Sequence, residues 1–224
     1  MNSVIKAAVF WASLFLLAAR SLFGEVNIQS DSLNILRQGA VTKFTGNVSV
    51  RSKDLTLEAD EALSNRETGI VTAAGSVKVN YSSAPLDIVS YSTRTVMDTA
   101  KNIITMTGSV KNIIDSEGED GKISRIVVYS DKVIINYADR RKLETEFIGA
   151  VKVDSEKIKI NSGRALYKRD QELITFTDSP RAYSETKDSA ARYSGKTILF
   201  YIHKQSIALD GDAQVEIELD ESQM

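Results

Sequence analysis

The chain has 224 residues, of which 42% are hydrophobic and 26% charged, and its formal net charge is −2. This composition is typical of an ordered globular protein and gives no reason to expect a nucleic-acid partner. The absence of cysteine excludes disulfide scaffolds, thiolate metal sites and cysteine nucleophiles, and the single histidine, His203, excludes a zinc cluster built on histidines.

Residues 1–24 are predicted to be a signal peptide. Lys6 precedes an apolar run from Ala7 to Ala19, and the small residues Ser21 and Gly24 follow, as in a charged n-region followed by a short h-region. The run is shorter than the roughly 20 residues that span a bilayer, although an uncleaved membrane anchor stays open as the alternative. Without this segment 26 basic and 30 acidic residues remain, a net charge of −4.

After residue 25 the chain alternates between apolar and polar residues, which predicts β-strands throughout. A period of two with one apolar face is the pattern of a half-buried strand, and no long window has helical periodicity. Clusters of turn-forming residues separate the alternating runs. The residues predicted to line the interior are Val48, Val50, Leu55, Leu57, Val77, Val79, Val110, Val127, Val133, Ile135, Val151, Val153, Ile158 and Ile160.

Two short motifs alternate along these predicted strands. The first is an apolar residue, a Gly two positions later and a Val two positions after that, as in Phe44-Thr-Gly-Asn-Val48, with anchors at 46, 75, 108, 149, 178 and 211. The anchor at 178 is a degenerate copy, in which Asp178 replaces the glycine. The second motif lies between these anchors, as in Ala59-Asp-Glu-Ala62 and Ser162-Gly-Arg-Ala165.

The spacing of the anchors predicts an internal duplication. Steps of 29 and 33 residues occur twice, so residues 46–111 repeat as residues 149–214 at an offset of 103. The longer step between the copies contains an acidic run, which predicts a loop insertion over residues 115–124. Recurrent glycines within strands indicate bends in register, and therefore bent strands stacked side by side with two open ends. A lightly filled interior that holds an apolar ligand and a well-packed core both fit this composition.

The segment from Phe44 to Ala62, with Leu55-x-Leu57-x-Ala59-Asp-x-Ala62 after the glycine motif, resembles the OstA-like domain of lipopolysaccharide-transport proteins. The resemblance covers roughly residues 27–218, with the domain expected over 25–218 and a tail over 219–224, and is greatest to the soluble bridge member of that family. It implies an all-β, elongated, open β-jellyroll of stacked, bent antiparallel strands in two facing sheets.

The resemblance also implies a periplasmic protein that shelters the acyl chains of lipopolysaccharide, or a similar glycolipid, and uses no cofactor. Its implied partners are LptC-like and LptD-like OstA domains, joined by edge-to-edge strand pairing, and further copies of the chain joined head to tail. An anchored LptC-like component and a structural β-solenoid without lipid remain as alternatives.

No catalytic or metal site is predicted. The acidic run from Asp115 to Gly121 lacks the glycine position of a calcium-binding EF-hand loop. His203 has no recognisable partner and is expected at a surface or an edge. The two acids of Ala59-Asp-Glu-Ala62 are absent from the equivalent Ser162-Gly-Arg-Ala165, which argues against a paired-carboxylate glycosidase. The chain is therefore expected not to be an enzyme.

Overall fold

The structure is a computed structural model that describes residues 27–36, 39–51, 55–84, 86–117, 121–139, 142–186 and 189–219. The predicted signal peptide and most of the predicted tail lie outside these residues. The described strands are Asn27–Gln29 (β1), Ser32–Leu36 (β2), Val41–Arg51 (β3), Leu55–Asn65 (β4), Ile70–Ser83 (β5), Leu86–Asp98 (β6), Ile103–Glu117 (β7), Ile123–Asn136 (β8), Glu144–Asp154 (β9), Ile158–Lys168 (β10), Leu173–Thr177 (β11), Arg181–Glu185 (β12), Ser189–Ser194 (β13), Thr197–Tyr201 (β14), Ser206–Asp210 (β15) and Gln214–Leu219 (β16).

All of these strands are joined antiparallel into one 16-stranded ladder. Chain neighbours from β3 to β10 are also ladder neighbours, so each long strand returns beside the one before it. The described residues contain a 3₁₀ turn at Arg169–Gln171 and no α-helix. The prediction of an all-β protein of stacked, bent antiparallel strands is confirmed. None of the described residues forms a helix long and apolar enough to cross a membrane.

Each strand from β3 to β10 has a shift of register near its middle. Phe44 lies opposite Ala62 and Val48 lies opposite Ala59, so four steps along β3 match three steps along β4. This mismatch is a β-bulge, which bends and twists a strand. The two sequence motifs are therefore the two sides of one bulge. The bulge recurs at Ala73–Val77 opposite Thr95–Ser92, Met106–Val110 opposite Val133–Ser130, and Phe147–Val151 opposite Ala165–Ser162.

The bulge glycines are required by both backbone conformation and lack of space. Gly149 has a φ of 76° and the next residue, Ala150, a φ of 42°, a conformation that costs most residues about 1–2 kcal/mol. A Cβ on Gly149 would also lie closer than 3.0 Å to the Asp131 carboxylate of the neighbouring strand. The same close approach occurs at the other bulges, between Gly46 and Asp31, Gly75 and Asp60, and Gly108 and Thr93.

The degenerate fifth anchor exchanges these roles between the two strands. Asp178 has a φ of 60°, which aspartate adopts more readily than most residues. Opposite Asp178, the neighbouring strand has a glycine, Gly163. A Cβ on Gly163 would lie only 2.8 Å from the Asp178 Cβ, so there is no room for a side chain at that position. The Gly163 N–H donates to the Asp178 carbonyl at 2.9 Å. The replacement of glycine by Asp178 is thus accommodated across the ladder.

The bulges divide the ladder into two half-sheets that separate beyond β10. The Tyr167 end of β10 pairs with β11 and leads to β14 and β15, whereas the Ile160 end pairs with β12 and leads to β13 and β16. We call these the first and second half-sheets. The first also contains β2 and residues 41–45, 61–65, 70–74, 94–98, 103–107, 132–136 and 144–148; the second also contains β1 and residues 48–51, 55–58, 77–83, 86–91, 110–117, 123–129 and 151–154.

The inner faces of the two half-sheets pack against each other. Buried side chains from both belong to a single hydrophobic cluster that runs from Phe44 to Ile202. The bulges form the closed side of this roll, and the turns at the far ends of the strands form its two free rims. This arrangement agrees with the prediction of two facing sheets.

The structure corrects the bounds of the predicted loop insertion. Residues 115–117 belong to β7 and residues 123–124 to β8, so both flanks of the predicted insertion are strands. Asp115 and Arg125 face each other as a bidentate ion pair, with Nε–Oδ1 and Nη2–Oδ2 distances of 2.7 and 2.8 Å. The longer spacing between the anchors Gly108 and Gly149 therefore arises mainly from a longer β7–β8 hairpin and from the connection that follows β8.

Candidate functional site

The candidate residues lie inside the roll, with one exception. Val127 is half-buried on the outer face, because the buried alternation of β8 runs through its neighbours Ile126 and Val128. Its assignment to the interior was wrong, and Val128 takes that place. The buried candidates are Val48, Val50, Leu55, Leu57, Val77, Val79, Val110, Val133, Ile135, Val151, Val153, Ile158 and Ile160.

The middle of the interior is a packed core. Phe147, Phe176 and Phe200 are fully buried there, together with Tyr167. Of the two arrangements that the sequence left open, the structure has the packed one over this part of the roll. An acyl chain could enter the middle only if the half-sheets moved apart.

The interior is uncovered at both ends of the roll. At the first end, Leu33 lies opposite the inward Phe44, and Ile35 lies opposite the buried Thr42, yet Ile35 is 59% exposed. At the other end, Val215 and Ile217 continue the inward face of β13 and are 51% and 65% exposed. These apolar side chains have no strand beyond them in the described residues to cover them.

The same ends carry unpaired strand edges. Among the described strands, β1 and β2 pair only with β3, β15 only with β14, and β16 only with β13. The outward N–H and C=O groups of such strands are available for pairing with another chain. Each end therefore combines an apolar inner face with a free edge, the two features that strand addition uses.

Arg169 joins the free rims of the two half-sheets. It follows β10 of the first half-sheet and reaches the β5–β6 turn of the second, where Nη2 donates to the Ser83 carbonyl at 2.7 Å. Nη1 donates to the Tyr81 hydroxyl at 2.9 Å, and the guanidinium lies 5.9 Å from the centre of the Tyr81 ring. The contact closes the roll on the side opposite the bulges.

His203 forms a second rim contact. It lies in the turn after β14, where its Nε2 contacts the Glu172 carboxylate. The same atom lies 3.5 Å from Ser116 Oγ at the end of β7 in the opposite half-sheet. His203 is thus a partly buried residue at the rim, with a neighbouring carboxylate that sequence spacing did not reveal.

The interior also contains polar side chains that the sequence analysis did not single out. Ser90 and Asn112 are each 1% exposed and lie opposite each other on β6 and β7. The Ser90 hydroxyl donates to Asn112 Oδ1 at 2.7 Å. Alternation could have revealed this position, because Asn112 shares the parity of Val110 and Ile114. Other buried polar residues are Thr42, Ser92, Thr95, Ser116, Ser130 and Thr145.

Two tyrosines at the ends of strands have perturbed ionisation. Burial raises the pKa of Tyr137 to about 12, and the nearby Asp98 charge acts in the same direction. Burial also raises the pKa of Tyr167 well above its usual value of 10. Both residues belong to the core cluster, so these shifts reflect packing.

The described residues contain no cluster of His, Cys, Asp or Glu suited to a metal ion. Their exposed charges form surface ion pairs across neighbouring strands, such as Lys43 with Glu61 at 2.9 Å. Such pairs stabilise a protein by about 1 kcal/mol at most. The distinctive features are the apolar interior, its open ends and its joined rims.

Comparison with known proteins relates the first part of the chain to lipopolysaccharide transport. Residues 27–132 match the family described as LptA/(LptD N-terminal domain) LPS transport protein. This match confirms the predicted resemblance over residues 27–132, and a transport family agrees with the expectation of a non-enzymatic protein. The remaining described strands continue the same pattern of bulges outside the matched range.

A structural comparison finds LptH, the LptA homologous periplasmic component of the conserved lipopolysaccharide transport device from Pseudomonas aeruginosa. The sequences are 10% identical, and the match covers 87% of this chain and 94% of LptH. The TM-score of 0.22 is too low to define a common fold. No curated protein sequence matches the chain.

Proposed function

We propose that the chain carries lipopolysaccharide or a related glycolipid across the periplasm, as one segment of a bridge between an inner-membrane exporter and an outer-membrane translocon. The supporting observation is an apolar interior that runs the length of the roll and is uncovered at both ends, where the strand edges are free. The family of residues 27–132 supports transport as the general role.

The two ends suit head-to-tail pairing with other OstA-like domains. A strand added beside β2 or β16 would satisfy the edge N–H and C=O groups and would cover Ile35 or Ile217. The covered apolar surface contributes about 25 cal/mol per Å². We propose LptC-like and LptD-like domains, and further copies of this chain, as these neighbours. Stacked in this way, the interiors of successive domains would form one continuous apolar path.

Loading would take place where the half-sheets can separate. The bulged strands keep the closed side continuous, whereas side-chain contacts such as that of Arg169 hold the rims together. Transfer of each CH₂ group of an acyl chain from water into the interior stabilises the complex by about 0.8 kcal/mol. A few CH₂ groups thus offset the loss of one rim contact.

We also propose that the protein is exported to the periplasm by residues 1–24, with removal of that segment. An anchored LptC-like component is the alternative if the segment is retained. A structural roll without lipid is the second candidate function, and the packed middle of the interior favours it.

The experiment that separates a carrier from a structural roll uses residues 25–224, purified without detergent and titrated with fluorescently labelled lipopolysaccharide. A carrier should bind the labelled lipopolysaccharide saturably. Ile35→Lys should weaken this binding and reduce the formation of concentration-dependent oligomers, because it places a charge on the inward face at the open end. Asn34→Lys is the matched control, since Asn34 lies on the outward side of the same strand. Absence of saturable binding in the unmodified chain would refute the carrier.

A further inference from the structure

The interior of the second half-sheet contains an amide donor without an acceptor. Asn112 Nδ2 has no hydrogen-bond partner, although the Asn112 side chain is buried. Asn112 Oδ1 accepts from the Ser90 hydroxyl, so the amide is held in place on one side only. Buried donors are nearly always hydrogen-bonded, because leaving one unpaired costs its full desolvation energy.

The next inward residues along β7 and the residue opposite Asn112 on β8 are apolar. Asn112 lies between the inward Val110 and Ile114 of β7, and Val128 lies opposite it on β8. All three of these neighbours are at most 1% exposed. Asn112 Nδ2 is thus a donor next to apolar side chains of the inner wall, fixed in place through Oδ1.

The depth of the amide limits what could satisfy it. Ser116 lies at the rim of the roll and Asn112 lies four residues further in on the same strand, which corresponds to about 14 Å along a strand. A polar headgroup held at the rim would therefore not reach the amide. An acceptor supplied by a ligand would therefore belong to the part of that ligand that enters the interior.

Resting on the proposed carrier function, we infer that Asn112 Nδ2 donates to an oxygen atom within the acyl chain of the bound lipid. A carbonyl of an ester, amide or ketone, or a hydroxyl on the chain, provides that acceptor. Asn112 would then select acyl chains with an internal oxygen over plain hydrocarbon chains. Ser90 is a positioning residue, because its hydroxyl holds the amide through Oδ1.

The test uses myristic acid and a series of myristic acids that each carry one keto oxygen at a successive carbon. Affinities for residues 25–224 are measured by competition with a fluorescent fatty acid. One hydrogen bond corresponds to roughly a fivefold gain in affinity. We expect this gain for the one or two keto acids whose oxygen reaches Asn112. The other keto acids should bind with the affinity of plain myristic acid.

Asn112→Leu should remove this preference while plain myristic acid still binds. The substitution is made together with Ser90→Ala, because the double variant leaves neither partner of the Ser90–Asn112 hydrogen bond unpaired. The double variant should therefore be at least as stable to urea as the unmodified protein. Ile114→Leu is the matched control, since it changes an adjacent inward side chain without changing polarity, and it should keep the preference.

Equal affinities across the series in the unmodified protein would overturn the inference, as would a preference that survives Asn112→Leu. Either result would leave the carrier function standing, since plain chains would still bind. Failure of every chain to bind, the plain one included, would instead refute the carrier function and with it this inference.

Discussion

Moving a carboxylate from one side of a bulge to the other tests the packing that shapes the whole roll. The unmodified protein has Gly149 opposite Asp131, whereas the fifth bulge has the reverse arrangement of Gly163 opposite Asp178. Gly149→Asp alone should be strongly destabilising. Its φ of 76° costs an aspartate about 1 kcal/mol. The new side chain also collides with Asp131, which adds about 2 kcal/mol through displaced side chains and like-charge repulsion.

The double variant Gly149→Asp with Asp131→Gly recreates the arrangement of the fifth bulge. Only the backbone cost of about 1 kcal/mol should remain at residue 149, with a similar or smaller cost from the flexible new glycine. The second substitution should therefore restore about 1–2 kcal/mol of the free energy of unfolding. Asp131→Gly alone should be mildly destabilising, so the two substitutions should be non-additive.

The assay is urea unfolding followed by circular dichroism. Gly121→Asp is the control, because Gly121 has a similar φ of 74° but a Cβ added there would have no neighbouring atom within 4 Å, so it reports the backbone cost alone. If Gly149→Asp cost no more than Gly121→Asp, or if the two bulge substitutions were additive, the steric account of the bulge would be wrong.

The remaining predictions concern the rims and the core. Arg169→Ala should lower the free energy of unfolding by about 1–2 kcal/mol and speed amide hydrogen exchange at residues 81–83, because charged hydrogen bonds across the rim are lost. Arg164→Ala, which removes a surface pair with a carboxylate, is the control and should cost about 1 kcal/mol or less with no change in that exchange. Burial favours the neutral form of Tyr137, whose pKa is raised to about 12, so its contribution to stability should be complete below pH 10 and lost as the pH rises to about 12. An alkaline titration at constant urea should show this loss of stability, and Tyr137→Phe should reduce it. An alkaline transition that Tyr137→Phe leaves unchanged would contradict the assignment to Tyr137.

Much of the fold could be predicted from the sequence because its determinants are local. In the first motif two apolar residues are four positions apart, and in the second motif they are three positions apart; together they specify the two sides of a bulge. Between bulges, the alternation of apolar and polar residues specifies which face of the strand points inward. The segment Ser30-Asp-Ser-Leu33 is a further copy of the second motif, since Asp31 lies against Gly46 as Asp60 lies against Gly75. This copy precedes the first glycine, so the spacing between glycine anchors does not reveal it. Alternation does not define which face Val127 occupies, because apolar residues occupy both faces of β8 there.

The candidate site depends on contacts that sequence spacing does not encode. Arg169 and Ser83 are 86 residues apart, and they meet only because the half-sheets fold together at the bulges. The packed middle of the interior depends on how Phe147 and its neighbours fill the space between the half-sheets, which composition alone left open. The exposure of Ile217 depends on β16 being an edge strand.

The most direct test of the central claim is native mass spectrometry of residues 25–224 after purification without detergent from the cell that produces it. The account predicts a population of protein with a bound amphiphile that carries acyl chains, and loss of that population in Ile35→Lys but not in Asn34→Lys. A protein that is uniformly free of lipid, and that stays free of it after incubation with lipopolysaccharide, would contradict the account and leave a structural roll.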